Sequence, residues 1–403
     1  MADPGHDLPP TALTGQLLPV LDSAFPTDLV DVLAEFLREQ AGVTAVELLL
    51  ADYDLDLLVC VRHDEPATSA ARLPVDGSDA GRAYTTQRPV AVPDGQETVV
   101  YLPVSLRSEQ LGVLQAHLPG EVPPATVDAL GQVTTVVAYV VFAAGRYTDM
   151  YEQARRHKPL ALDAEMQWNL LPIRAFSGPR FEVAGQLMPA YDVGGDCFDY
   201  SVESEALYVS VTDAMGHGIG ASLLDALTVS ALRNARRGGA GVADQALAAA
   251  AAVHAQFNVP RATPAPLVPV QFVTALIAQV ELSTGAVSIV NAGHPSPHLL
   301  RDGELSVVPL VPQLPLGLSP DMAYEEQRFT LLPGDRVFFI SDGVTDAGPD
   351  GAPPFGDVRL EDVLRATAGD PPHEAVRQVL HVVSEYQQGN FRDDATALCL
   401  DWR

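Results

Sequence analysis

A mixed α/β (α+β) chain with more than one core is what the sequence predicts, and three features predict it. Helical and strand-like apolar periodicities both recur along it. From about residue 172 the apolar runs become strand-like and end in polar, Gly- and Asp-containing turns. The chain's 403 residues also exceed what one hydrophobic core normally organises.

Residues 1–20 are Pro-rich and read as a loose tail ahead of a first domain at 21–145. "TDLVDVLAEFLREQAG" (27–42) has helical spacing, with Thr27 as N-cap and Gly42 as stop. "AVELLLADYDLDLLVCVR" (45–62) reads as two strands around an Asp-rich turn, and "TVVYLPVSLRSEQLGVLQAHLP" (98–119) as a hairpin turning near Arg107–Gln110. The stretch from Pro124 to Lys158 reads as one long helix that Pro159 ends. Its apolar part, "VTTVVAYVVFAAG" (133–145), is shorter than the roughly 20 residues a membrane span needs and reads as a buried helix. These elements, with "LPVDGSDAGRAYTTQRPVAV" (73–92), resemble a GAF domain, a small sensory α/β module. The resemblance implies a small ligand held between sheet and loops. Cys60 and His63 lie near a strand end, where packing or solvation explains them without a ligand.

Composition narrows the partners. A net charge of −28 repels phosphate backbones and anionic membranes, so neither nucleic acid nor membrane is expected. Three scattered cysteines, Cys60, Cys197 and Cys399, give no disulfide framework and no zinc spacing, which fits a reducing cytoplasm. "MADPGHDLPPTALTG" lacks a basic region followed by an apolar core, so no signal peptide is expected.

Residues 146–171 read as a helical connector. "RRHK" (155–158) suits a helix C-terminus, where cations favour the dipole. Leu162, Met166 and Leu170 recur every four residues and predict one apolar stripe, set to pack on this chain or on a partner. A last domain then runs over 172–403. Its strands are "EALYVSVTDAMGHG", "QFVTALIAQVEL", "AVSIVNAGHPSPHLLRDG", "DRVFFISDGVTDAG" and "ATALCLDW", interrupted by two helices at 220–237 and 242–257. "NVPRATPAPLVPV" (258–270) reads as an extended loop.

Four apolar strands in this domain abut acidic residues with small neighbours: Asp196 after Gly194-Gly195, Asp213 in "VTDAMGHG", Asp342 and Asp346 in "ISDGVTD", and Asp393 and Asp394 in "NFRDDATALCL". One such aspartate is ordinarily a turn former. Four strand ends that met would repel unless cations lay between them. Oxygen-only donors select Mg²⁺, Mn²⁺ or Ca²⁺, and a pair of such ions is the machinery for attack on a phosphate ester.

At this point the chain resembles PPM-type, metal-dependent serine/threonine phosphatases of the bacterial SpoIIE-like branch. "EMQWNLLP", "PAYDVGGDCFDY", "VSVTDAMGHGIGASLL", "NAGHPSPHLL", "LPLGL", "LLPGDRVFFISDGVTDA" and "RDDATALCL" carry the likeness in that order. The resemblance implies two stacked antiparallel sheets flanked by helices, an αββα sandwich with two Mn²⁺ or Mg²⁺ ions at one end. It implies Asp196 and Asp213 at the binuclear centre, the Ala214 carbonyl as a backbone ligand, and Asp342 and Asp393 on one ion. Asp394 and Asp346 fall beside them, Asp346 where some members hold a third, weaker ion. Many members have Gly in place of Ala214. Larger relatives carry a histidine, their proposed general acid, where this chain has Met215; His217, two residues later, reads as its substitute or as a solvated loop residue near a helix start, the second being preferred. Arg392 is near in sequence but not assignable as a phosphate grip. His294 reads as a packed loop residue and Cys197 as buried packing. "GGDCF" also looks like the GGDEF signature of diguanylate cyclases, but its fourth position is Cys197 rather than an acid.

The resemblance implies a cytoplasmic, metal-dependent protein phosphatase acting on a phosphorylated anti-anti-sigma factor of the STAS type. It also implies control by the GAF-like domain through 160–171 in a homodimer. The alternative is a sensory or scaffold protein whose phosphatase domain is inactive.

Overall fold

The computed structural model describes residues 10–62, 70–191, 194–258, 270–319, 322–349, 351–389 and 391–403. They fall into two compact units, Met1–Pro159 and Leu160–Arg403.

In the first unit α1 (Pro10–Ser23) and α2 (Leu29–Ala41) lead into β1 (Ala45–Ala51), β2 (Leu57–Cys60) and β3 (Arg72–Pro74). Then come α3 (Asp79–Thr86), β4 (Val90–Asp94), β5 (Glu97–Leu106), β6 (Glu109–Pro119), α4 (Pro124–Ala144) and α5 (Met150–Ala154). The strands make one antiparallel sheet in the order β3-β2-β1-β6-β5-β4. Period-two alternation splits β1 between two cores. Leu48 and Leu50 join the core shared with α1, α2 and α4, while Leu49 and Ala51 join the core under α3.

Three expectations need correcting here. Residues 10–20 are not a loose tail: Leu13, Leu17 and Leu21, one helical turn apart, are buried under α1. Burying each contributes about 2 kcal/mol, which offsets the roughly 3 kcal/mol cost of Pro19 inside the helix. The long helix stops at Ala144, fifteen residues before Pro159, where Gly145 ends it. Asp28, not Thr27, takes the N-cap position of α2, while Gly42 closes it at φ 66° as expected. His63 lies outside the described residues.

α4 is long and apolar enough to cross a membrane by length and composition. One face of it, including Leu130, Val133 and Val137, is buried in the unit's own core.

The second unit opens with α6 (Leu162–Leu170), β7 (Ala175–Ser177), β8 (Phe181–Met188), β9 (Asp196–Val202), β10 (Ala206–Ala214), α7 (Ile219–Arg237) and α8 (Val242–Val253). It continues with β11 (Val273–Glu281), β12 (Ala286–Ala292), β13 (His298–Arg301), β14 (Glu304–Val307), β15 (Gln327–Thr330) and β16 (Arg336–Ile340). It closes with α9 (Asp342–Thr345), α10 (Gly356–Ala366), α11 (Pro372–Tyr386) and β17 (Ala395–Trp402). Two antiparallel sheets result, β15-β12-β11-β10-β9 and β14-β13-β16-β17-β8-β7. Phe181, Phe198, Val209, Leu276, Phe339 and Leu398 interdigitate between them. α7 and α8 cover the first sheet, and α10 and α11 cover the second. The expected αββα sandwich is therefore the fold of this unit.

α10 and α11 are absent from the sequence reading, although Ala375, Val376, Val379, Leu380 and Val383 carry a helical repeat after Pro372 at the first turn. The stripe expected on the connector is also corrected. α6 buries Asp163, Ala164 and Gln167, and leaves Leu162 63% exposed. Most of the extended loop expected at 258–270 lies outside the described residues.

Candidate metal centre

Antiparallel pairing brings the acidic strand ends to one end of the sandwich. Asp213, at the end of β10, sits directly opposite Asp196, at the start of β9. On its other side Asp213 faces Thr274 of β11, whose Oγ1 donates to Asp213 Oδ2 at 3.4 Å. In the second sheet β16 ends just before Asp342, and its partner β17 begins just after Asp394. Ser341 holds those two ends together: its N–H donates to the Thr396 carbonyl at 3.1 Å, and its Oγ accepts the Thr396 N–H at 2.9 Å.

The Gly-Gly pair has a physical reason beyond turning. The N–H groups of Gly194 (2.6 Å), Gly195 and Asp196 (3.2 Å) all donate to Oδ2 of Asp394. A Cβ on Gly195 would stand 2.6 Å from the Ala214 carbonyl oxygen, so only glycine lets β9 approach that carbonyl. Gly343 is equally constrained, because a Cβ there would reach within 1.8 Å of the Asp394 carbonyl oxygen. Ala214 is not in the positive-φ region, so the backbone tolerates its side chain.

Electrostatics report the convergence. Burial, followed by the like charges of Asp342, Asp393 and Asp394, pushes the Asp213 carboxyl up to about 7 against the Thr274 hydrogen bond. Asp196 is raised well above the usual range by burial, then by Asp213 and Asp394, against the opposing pull of the Ser341 and Thr396 hydroxyls. Burial raises Asp394 to about 6 against the three N–H donors. Asp393 is raised by burial, then by Asp342 and Asp346, while His217 pulls it down. Asp196, Asp213, Asp342, Asp393 and Asp394 thus share one neighbourhood, and Asp346 faces it across Asp393. Asp196 Oδ2 is buried and has no hydrogen-bond partner among the described residues. An orphaned buried carboxylate oxygen among like charges fits a divalent cation, and the oxygen-only donors fit Mg²⁺ or Mn²⁺.

Asp199 pairs with Arg233 (2.8 Å) and Arg236 (3.1 Å), which ties β9 to α7. His217 and Arg392 are exposed. His294 is buried, with Nδ1 3.1 Å from the Pro295 carbonyl oxygen, and Cys197 is buried packing. Asp192 lies outside the described residues.

Sequence reasoning missed a buried network behind Asp196. The Gln167 amide of α6 donates to the Asp196 carbonyl and, at 3.2 Å, to Asp225 Oδ2 of α7. Asp225 Oδ1 accepts from Thr212 Oγ1 at 2.5 Å. A polar residue between the apolar positions of "EMQWNLLP" was the available signal for Gln167.

Residues 203–403 match the family described as Stage II sporulation protein E (SpoIIE). Protein IcfG of Synechocystis sp. (strain ATCC 27184 / PCC 6803 / Kazusa) is 25% identical over 250 residues, covering 56% of this chain. The match spans only 38% of that protein's length. Among solved structures, the SiaA-PP2C domain of Pseudomonas aeruginosa aligns at 22% identity and TM-score 0.49, covering 60% of this chain and 94% of that one. The RsbU and RsbW domains of Rv1364c from Mycobacterium tuberculosis align at 23% identity and TM-score 0.48, covering 56% of this chain and 60% of that one.

Proposed function

Residues 203–403 belong to the SpoIIE family of PPM-type phosphatase domains, and from that premise we propose that this chain hydrolyses phosphoserine or phosphothreonine on a protein in a metal-dependent reaction. The observation that carries the proposal is a chain of like-charge neighbours from four strand ends, Asp213 and Asp394 acting on Asp196 and Asp342 and Asp393 acting on Asp213, together with a buried Asp196 Oδ2 that has no hydrogen-bond partner among the described residues. Asp196, Asp213, Asp342, Asp393 and the Ala214 carbonyl would hold two Mn²⁺ or Mg²⁺ ions. When bound, the ions supply positive charge and an activated water for in-line displacement at phosphorus.

The remaining roles belong to the chain. Asp394 fixes the Gly194–Asp196 backbone through three N–H groups, which aims the Asp196 carboxylate. Gln167 holds the Asp196 carbonyl from behind and ties α6 to that strand. Thr274 orients Asp213. The exposed carboxylates Asp342, Asp346 and Asp393 leave the mouth of the site open to water and to a hydrated cation.

The substrate we propose is a phosphorylated STAS-type anti-anti-sigma factor, with a GAF-like first unit as the sensor, in a cytoplasmic homodimer. The helix–sheet–helix layout of Met1–Pro159 and the site contact of α6 support the sensory part of this reading. Tyr139 and Phe142, exposed on α4, offer an apolar face for a second copy. The test is phosphate release from a phosphorylated cognate STAS protein with Mn²⁺. Release supports the substrate class; cleavage of a generic phosphoester with no release from that protein overturns it. Deleting residues 1–145 is expected to change specific activity, and unchanged kinetics with unchanged oligomeric state would remove the sensory role.

A further inference from the structure

Two sequence features remain outside the catalytic account: the acidic turn "ADYDLD" between β1 and β2, and "RRHK" after α5. The first unit brings them together. His157 Nδ1 stands 3.7 Å from Asp52 Oδ2 and 3.9 Å from Asp54 Oδ2. One donor atom from each of the three residues lies within 4.8 Å of the others. We propose that Asp52, Asp54 and His157 form a second cation site, for a divalent ion of the zinc class that takes mixed imidazole and carboxylate ligands.

Asp52 is the second, independent observation. Its side chain is only 1% exposed. Oδ1 accepts the backbone N–H groups of Asp56 (3.0 Å) and Leu57 (3.1 Å) and so holds the turn. Oδ2 is buried, points at His157, and has no hydrogen-bond partner among the described residues. A buried carboxylate oxygen without a donor is costly, and a metal ion is one of the few groups that relieve it. Ligands about 2.0–2.2 Å from a tetrahedral ion stand roughly 3.3–3.6 Å apart, so the two separations from His157 need to close by only tenths of an ångström, and all three donor atoms lie within 4.8 Å of one another. The imidazole selects a borderline ion over Mg²⁺ or Ca²⁺, in contrast to the oxygen-only site of the second unit.

The surrounding contacts hold the two segments together without an ion. Arg155 Nε donates to the Ala51 carbonyl at 2.9 Å, and the Arg155 guanidinium lies 4.7 Å over the Tyr53 ring. The Tyr53 hydroxyl donates to Glu152. Removing one ligand should therefore leave the segments docked.

The experiment is zinc titration of the full, tag-free chain against a chromophoric chelator, after EDTA stripping and with millimolar Mg²⁺ present. Wild type, Asp213→Asn, Asp54→Asn and His157→Gln are compared, with far-UV circular dichroism as the folding check. The expected result is one zinc bound by wild type and by Asp213→Asn, weakened more than about tenfold in Asp54→Asn and in His157→Gln. If His157→Gln does not fold, Asp54→Asn decides. No zinc bound by wild type, loss of all zinc in Asp213→Asn, or unchanged affinity in folded Asp54→Asn would each overturn the proposal.

Discussion

Oδ2 of Asp394 accepts the backbone N–H of Gly194 at 2.6 Å, joining residues 200 positions apart in the chain. The same oxygen serves Gly195 and Asp196, so Asp394 sets the course of the strand that carries Asp196. Asp393, one residue earlier, accepts its neighbour's N–H at 3.0 Å, with no other hydrogen bond among the described residues, and is exposed. The two should separate on mutation. Asp394→Ala orphans three buried donors and is expected to cost about 3 kcal/mol in EDTA as well as weakening Mn²⁺ binding. Asp393→Asn is expected to weaken Mn²⁺ binding while leaving EDTA stability unchanged or raised, because it removes a charge that repels Asp342. Thermal melts in EDTA with parallel Mn²⁺ titrations would check both.

Gln167 reaches the strand backbone rather than the carboxylate. Gln167→Ala is expected to lower Mn²⁺ affinity and Mn²⁺-dependent turnover by about 10–100-fold, the range for groups that orient metal ligands from behind. Turnover measured at saturating Mn²⁺ distinguishes weakened metal binding from a misplaced Asp196.

Metal affinity should follow pH through Asp213. In the metal-free chain its carboxyl is raised to about 7, so below that pH a proton competes with the cation. Mn²⁺ affinity is expected to fall by up to about tenfold per pH unit as pH drops from 7 to 5. Calorimetry in two buffers of different ionisation enthalpy would report the released proton.

Asp225 makes a separate stability prediction. Burial raises it to about 7, against the hydrogen bonds from Thr212 and Gln167. With the folded pKa above the unfolded value near 3.8, the folded state holds the extra proton between those values. This contribution is therefore full below pH 4 and is lost as pH rises through 7, at no more than about 1.4 kcal/mol per unit. In EDTA, Asp225→Asn should flatten the decline in stability over pH 4–7, measured by denaturant melts.

The aspartates were legible because strand ends announce themselves. An apolar run followed by Asp beside Gly or Ala marks both a turn and a candidate ligand, and antiparallel pairing puts Asp196 and Asp213 side by side. Gln167 was legible only as a polar residue among apolar positions; its partner is a backbone carbonyl 29 residues away, which no side-chain pattern reveals. The apolar spacing of Leu162, Met166 and Leu170 pointed to the wrong face for a related reason: α6 packs by satisfying buried polar groups near the site. α1 was hidden by its prolines, although Leu13, Leu17 and Leu21 carried the helical repeat. The long helix from Pro124 was overextended because nothing in its periodicity signalled that Gly145 would end it.

The most direct measurement is hydrolysis of p-nitrophenyl phosphate by the full chain with and without Mn²⁺, beside Asp213→Asn. The account predicts Mn²⁺-dependent turnover that the substitution reduces by at least about a hundredfold, since it removes a carboxylate shared by the whole acidic cluster. Equal turnover in wild type and Asp213→Asn, or turnover indifferent to Mn²⁺ and EDTA, would contradict it.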